Sequence, residues 1–257
     1  MIHSLNGLRI LNTRPKAQAE ILTQYLVDAG GIVIECPTIA IKETDSTWVS
    51  TLPDLAKIHH AIFISPNAAH FCFKQLKSNH ISWPPHINVI AIGQATANAL
   101  KEHHLLCNDI PPFPNSEHLL TLKSLKHLDH QTVLLFKGKG GRDLIEECLS
   151  KRGATVLVQS IYERAMPKID PLLIQTIWQN DQVDIILLTS EQSIHNLFAL
   201  FGKDALQWLQ SKTFLVISER LAQSASLFGI QKIVKSHPER MINTLFDYSQ
   251  GLIHDPK

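Results

Sequence analysis

The chain repeats itself, and the repeat limits its architecture more than any other feature. Leu8 to Pro37 reads LRILNTRPKAQAEILTQYLVDAGGIVIECP, and Thr132 to Tyr162 reads TVLLFKGKGGRDLIEECLSKRGATVLVQSIY. Each is an apolar strand, a turn with a basic residue, an amphipathic helix, a glycine and a second apolar strand, with Arg14 falling opposite Lys137. A second pair matches as well: AIFISPNAAHFCF and VIAIGQATANAL stand beside IILLTSEQSIHNLF and LVISERLAQSAS. One constant offset sets Ser65 opposite Ser190 and Gly93 opposite Ser218. Two copies are too few for a solenoid, so this is a duplicated α/β unit.

Strand-like runs fall near 8–12, 32–36, 60–64, 88–92, 107–110, 132–136, 155–158, 184–188, 213–217 and 231–234. Helical patterns alternate with them, which predicts parallel sheets covered on both faces. The runs amount to two sheets, and 257 residues with 44% hydrophobic side chains can fill the cores of two domains. Pro37 and the polar segment YERAMPKIDP (Tyr162 to Pro171) read as crossings between domains. The expected fold is therefore α/β, with two flavodoxin-like parallel-sheet domains, one inserted in the other and joined by a two-stranded linker. The expected boundaries are 1–37 plus 168–257 for the discontinuous domain, 38–162 for the inserted one, and 163–167 for linker.

A formal net charge of +1 argues against nucleic acid as a partner, since binding to a phosphate backbone calls for a basic surplus. The opening MIHSLNGLRILNTRP lacks a signal-like apolar region, and no later run reaches the ~20 apolar residues of a membrane span. A soluble, cytoplasmic protein without membrane contact is expected. Cys36, Cys72, Cys107 and Cys148 are scattered without a C-x-x-C and read as free core thiols. His59-His60, His103-His104 and His127-x-x-His130 have no carboxylate or cysteine arranged beside them, so no metal site is expected.

Every strand-to-helix junction carries small or hydrogen-bonding residues: TRP (13–15), SPN (65–67), GQAT (93–96), KGKGGR (137–142), TSEQS (189–193) and SER (218–220). In an open parallel sheet these junctions lie at the carboxyl ends of the strands, where ligands bind. The glycine-rich turn fits neither the P-loop nor the dinucleotide pattern, and it reads as a bare, basic helix N-terminus open to an anion. Ser, Thr and Asn at these places are equally ordinary helix caps. Glu191 and Glu219 would repel an anion in the second copy, which favours the side holding Ser65, Thr96 and Arg142. No Ser-His-Asp set or nucleophile elbow is present, so chemistry must rest on positioning and electrostatics.

Taken in order, T-R-P (13–15), S-P-N-A (65–68), A-I-G-x-x-T-A-x-A-L (91–100), P-x-x-x-S-E-x-L-L (112–120), G-x-G-G-R-x-L-I (138–145), x-Y-x-R (161–164), T-S (189–190) and S-E-R-L-A (218–222) resemble the uroporphyrinogen-III synthase family along essentially the whole chain. The resemblance implies two α/β domains with the site in the cleft between them. It further implies closure of hydroxymethylbilane, a linear tetrapyrrole, to uroporphyrinogen III with loss of water and inversion of ring D. No cofactor is implied, and the expected protein is a monomer in transient contact with hydroxymethylbilane synthase. The residues that match the family's motifs are Arg14, Ser65, Asn67, Gly93, Thr96, Gly138, Gly141, Arg142, Ser190 and Ser218 as substrate-binding positions and Tyr162 as the catalytic one. Lys137, also counted with the binding set, stands where the family often has arginine; it keeps the charge and loses the bidentate fork.

Two other readings stand beside this one. A two-lobed carboxylate-binding module without catalysis would suit the same repeat, and differs mainly in having no need of Tyr162. A nucleotide-dependent enzyme would use the glycine-rich turn, yet the glycine spacing and an acidic ribose partner are missing.

Overall fold

The computed structural model describes residues 4–45 and 47–252. Along the chain run β1 (Arg9–Asn12), α1 (Lys16–Asp28), β2 (Ile32–Glu35), β3 (Ala40–Glu43), α2 (Thr47–Ser50), β4 (His60–Phe63), α3 (Pro66–Ser78), β5 (Asn88–Ala91) and α4 (Gln94–Glu102). There follow α5 (Ser116–Leu119), β6 (Thr132–Gly138), α6 (Leu144–Lys151), β7 (Thr155–Ala165), α7 (Pro171–Gln179) and β8 (Ile185–Leu188). The last elements are α8 (Glu191–Phe201), α9 (Leu206–Ser211), β9 (Thr213–Val216), α10 (Glu219–Ser226), β10 (Lys232–Lys235) and α11 (Met241–Ser249).

The contacts divide the chain into two compact units, Met1–Ala40 with Ala165–Lys257, and Ile41–Arg164. The first has the sheet order β10-β9-β8-β1-β2, which read from the other edge is the flavodoxin order; the second has β3-β7-β6-β4-β5. Four strands of the second, β7-β6-β4-β5, occupy the places of β2-β1-β8-β9 in the first, as the internal repeat requires. The ladders β1–β2, β1–β8, β8–β9, β9–β10, β4–β5, β4–β6 and β6–β7 are all parallel.

The central strands carry unbroken apolar runs because each sheet is covered on both faces. In β8, Ile186 and Leu188 join one cluster while Ile185 and Leu187 join the opposite one. In β6, Leu134 and Phe136 face one side and Val133 and Leu135 the other. Side chains alternate with period two along a strand, so a run such as VLLF must meet helices on both sides to bury all four. Each such side chain contributes about 1.5–3 kcal/mol by leaving water.

One sequence expectation changes. Residues 107–110 are not a strand: they make one isolated parallel bridge, Ile90 to Asp109. The repeat offset carries 107–110 onto β10, so this is the reduced counterpart of a full strand. Pro111 and Pro112 follow directly, and without N–H groups they cannot extend the ladder. The expected two-stranded connection appears as strands: the crossing after Pro37 contains β3, and β7 runs on to Ala165 through part of the second crossing. These two segments are neighbouring strands in the sheet of the second unit.

A charged clamp fixes the start of the first sheet. The backbone N–H of Arg9 donates to Asp184 Oδ2 at 2.9 Å, its Nε to the same oxygen at 3.0 Å, and its Nη2 pairs with Oδ1. Burial would push the Asp184 carboxyl up, but the hydrogen bonds from Arg9 outweigh it and hold the group below the ordinary carboxylate range. A carboxylate with a depressed folded-state pKa adds stability above its unfolded pKa of roughly 3.9, and that stability is lost as pH falls through the folded value. Asp184→Asn should therefore lower the urea midpoint at pH 6, and the gap from wild type should shrink toward pH 3. A gap independent of pH would show that the charge of Asp184 contributes nothing.

Candidate active site

In the second unit the carboxyl ends of β4 and β5 open into α3 and α4. Ser65 caps α3, its Oγ accepting the Ala68 N–H at 3.1 Å, and Pro66 takes the first helical position. Gly93 precedes α4 with extended backbone, and a Cβ there would lie 2.6 Å from the Pro114 Cβ, so the position admits no side chain. Between these two helix starts lies a cavity of about 480 Å³, lined among others by Ser65, Gly93, Thr96, Pro111, Pro112 and Pro114. Its wall is largely apolar, and Thr96 is itself buried. The proline wall was not read from the sequence as part of a site; its signal is PPFPN directly after the weak strand.

Tyr162 reaches the same region through a β-bulge. Along β6 and β7 the register runs evenly to Lys137 opposite Ser160, then jumps to Gly138 opposite Tyr162. The extra residue is Ile161. In an even ladder Ile161 and Tyr162 would face opposite sides of the sheet; with the bulge, both enter one core cluster. The tyrosine ring lies on Gly138, where a Cβ would come within 2.6 Å of its Cε2 and Cζ. Phe71 stacks at 6.2 Å between centroids. Ser65 Oγ donates to Tyr162 Oη at 2.9 Å. The structure thus joins three of the expected site residues, Ser65, Gly138 and Tyr162, in direct contact, and sets Gly93 and Thr96 on the cavity that Ser65 lines. Asn67 stands in the first turn of α3, half-buried, and is not among the cavity's lining residues.

The basic turn differs from its reading as a bare helix N-terminus. Lys137 is 6% exposed, and its Nζ binds Asp143 Oδ1 at 2.9 Å. Arg142 holds Glu117 at 2.7 Å, a bond that keeps the Glu117 carboxyl below its ordinary range. Lys139 lies 3.9 Å from Glu163. Gly140 and Gly141 turn the chain with φ of 80° and 89°, in the left-handed region that favours glycine. Glu146 and Glu147 then occupy the first turn of α6. The carboxylates that answer these cations sit at 117, 143 and 163, and only Asp143 is close enough in sequence to have suggested a pair.

In the first unit Arg14 follows β1. It is half-buried, and burial lowers its guanidinium pKa; among the described residues no carboxylate pairs with it. Ser190 caps α8 through the Ser193 N–H at 3.2 Å, and the two hydroxyls pair at 2.7 Å. Ser218 caps α10 through the Leu221 N–H at 3.3 Å. Glu219, beside it, is paired with Lys235 at 3.0 Å. The four cysteines are free thiols; burial pushes Cys36 up to about 12 and Cys107 up to about 11, which makes neither a nucleophile at neutral pH.

An α/β fold with parallel sheets carries an apolar cavity at its strand ends, and a buried tyrosine hydroxyl is bonded to Ser65, one of the residues that line it. The model of the family described as uroporphyrinogen-III synthase HemD matches residues 20–242, and the chain belongs to that family, enzymes of porphyrin biosynthesis. The uroporphyrinogen-III synthase of Escherichia coli (strain K12) is 31% identical over 88% of this chain and 94% of its own length. That of Proteus mirabilis is 34% identical over 70% of this chain and 92% of its own. Among solved structures, the uroporphyrinogen-III synthetase of Helicobacter pylori 26695 superposes with a TM-score of 0.60 over 96% of this chain and 100% of that one, at 15% identity, and so speaks for the fold.

Gly138→Ala tests the seat of the tyrosine. The added methyl must displace the ring, at a cost of about 1–3 kcal/mol for overpacking. The expected result is a lower urea midpoint together with a changed near-ultraviolet tyrosine signal; unchanged stability and signal would mean that the ring moves aside freely.

Proposed function

We propose that this chain closes hydroxymethylbilane to uroporphyrinogen III with inversion of ring D, and that Tyr162 delivers the proton on which the departing hydroxyl leaves as water. The observation that carries this reading is the buried phenol that accepts a hydrogen bond from Ser65, a residue lining the apolar cavity. The carbon–oxygen bond of the hydroxymethyl group breaks, the electron pair of the adjacent pyrrole nitrogen stabilises the carbon left behind, and the phenol proton completes the water molecule. For ring D to be inverted, that carbon bonds first to the substituted α-carbon of ring D, the bond from there to the neighbouring methylene bridge breaks, and the freed methylene bonds to the ring's unsubstituted α-carbon, whose displaced proton restores the phenol.

The apolar wall of Pro111, Pro112 and Pro114 suits the faces of pyrrole rings. In this reading Arg14, Arg142 and Lys137 answer some of the substrate's acetate and propionate groups; among the described residues no carboxylate pairs with Arg14. Arg142 would first have to give up Glu117, and Lys137 Asp143. Asn67, Gly141, Ser190 and Ser218 remain candidates for binding through hydroxyl, amide and backbone groups. No helix among the described residues is long and apolar enough to cross a membrane. A cytoplasmic monomer taking its substrate from hydroxymethylbilane synthase belongs to the same reading.

The test is to incubate fresh hydroxymethylbilane with the protein and resolve the type I and type III isomers. Tyr162→Phe keeps the ring and removes the proton, so type III formation should slow by ~10-fold or more. Ser65 then loses an acceptor, which costs about 0.5–1.5 kcal/mol of stability. Turnover of Tyr162→Phe at the wild-type rate would make the residue structural.

A further inference from the structure

We infer that Ser65 is a positioning residue for Tyr162: it holds the phenol oxygen with its own proton and so leaves the phenol proton turned outward, to be given to the substrate. This rests on the reaction proposed above.

A serine hydroxyl has one proton and can accept as well as donate. The Ser65 oxygen accepts the Ala68 N–H at 3.1 Å, and its proton goes to Tyr162 Oη at 2.9 Å. Tyr162 therefore receives a hydrogen bond and keeps its own proton, for which the described residues supply no acceptor. A buried hydroxyl with an unspent donor is an uncommon arrangement, because polar groups inside proteins are nearly always satisfied. The ring cannot swing to find an acceptor of its own, since Gly138 and Phe71 hold it on both sides.

The repeat contains its own control. The offset that sets Ser65 opposite Ser190 sets Ala68 opposite Ser193. In the first unit, Ser190 pairs its hydroxyl with that of Ser193 at 2.7 Å, within a single helix cap. In the second unit Ala68 offers no hydroxyl, and the serine bond goes across to β7 instead. The same capping residue is thus closed on its own helix in one copy and turned toward the tyrosine in the other. The copies differ in the side chain three residues along and in the tyrosine itself, since Tyr162 falls opposite Ile39 in the first unit.

That difference provides the experiment. Ser65→Ala removes the donor, and Ala68→Ser supplies the local partner seen in the other copy, leaving the cap intact. Each is made alone and together with Tyr162→Phe, and kcat, KM and the urea midpoint are measured on hydroxymethylbilane. Each single variant should lower kcat by about 3- to 10-fold, the size of one hydrogen bond, with KM little changed. In the Tyr162→Phe background neither should lower kcat further, while the stability lost with the cap in Ser65→Ala persists. Additive losses in kcat, or a raised KM with kcat unchanged, overturn the inference and return Ser65 to capping or to direct contact with substrate. A wild type that makes no type III isomer overturns the reaction as well, whereas one that does, with additive pairs, overturns the positioning role alone.

Discussion

Parallel strands that are apolar on both faces cannot rest until helices cover each side, and the rest of this structure follows from that requirement. Within each unit it calls for helices between the strands, so that the carboxyl ends of β1, β4, β5, β8 and β9 lead into helix starts. At β4 and β5 those starts are Ser65 and Gly93, and the gap between them becomes the cavity. The cavity is a by-product of sheet topology, and the side chains around it give it a use.

Those side chains are set by close approach more than by charge. Gly138 leaves room for the tyrosine ring, Gly93 leaves room for Pro114, and one extra residue in β7 turns Tyr162 toward α3. The cations nearby, Lys137 and Arg142, are already paired with carboxylates of the same unit. Their attraction for an outside anion is reduced by the pairing, whereas the hydroxyl of Tyr162 is held at one place by packing. The geometry therefore favours a site whose selectivity comes from shape and hydrogen bonding, with Coulomb attraction secondary.

The sequence made the sheets legible because runs such as TVLLF and IILL have no reading other than strands covered on both faces, and the repeat reinforced each copy with the other. It also marked Ser65 and Gly93, since a capping serine before proline and a glycine before a helix are local signals. It could not show the bulge at Ile161, because one added residue in a ladder leaves no trace in an apolar run. It misread 107–110 for a related reason: the residues suit a strand, and the missing ladder is caused by the prolines beyond it. The basic turn looked bare because Glu117 and Glu163 approach it from distant positions, and pairing between elements is invisible until the chain is folded.

The two sheets are completed at different moments as the chain leaves the ribosome. Every strand of the β3-β7-β6-β4-β5 sheet lies between Ala40 and Ala165, so that sheet has all its members once β7 has emerged. The other sheet then consists of β1 and β2 alone, and Arg9 must wait for Asp184, 175 residues further along. A nascent protein of this design carries a β1-α1-β2 stub in which α1 already meets Ile10 but Leu11 still lacks α7 and α8, behind a unit whose strands have all emerged. Its period of greatest exposure to aggregation and to chaperones falls between the emergence of β7 and that of β8.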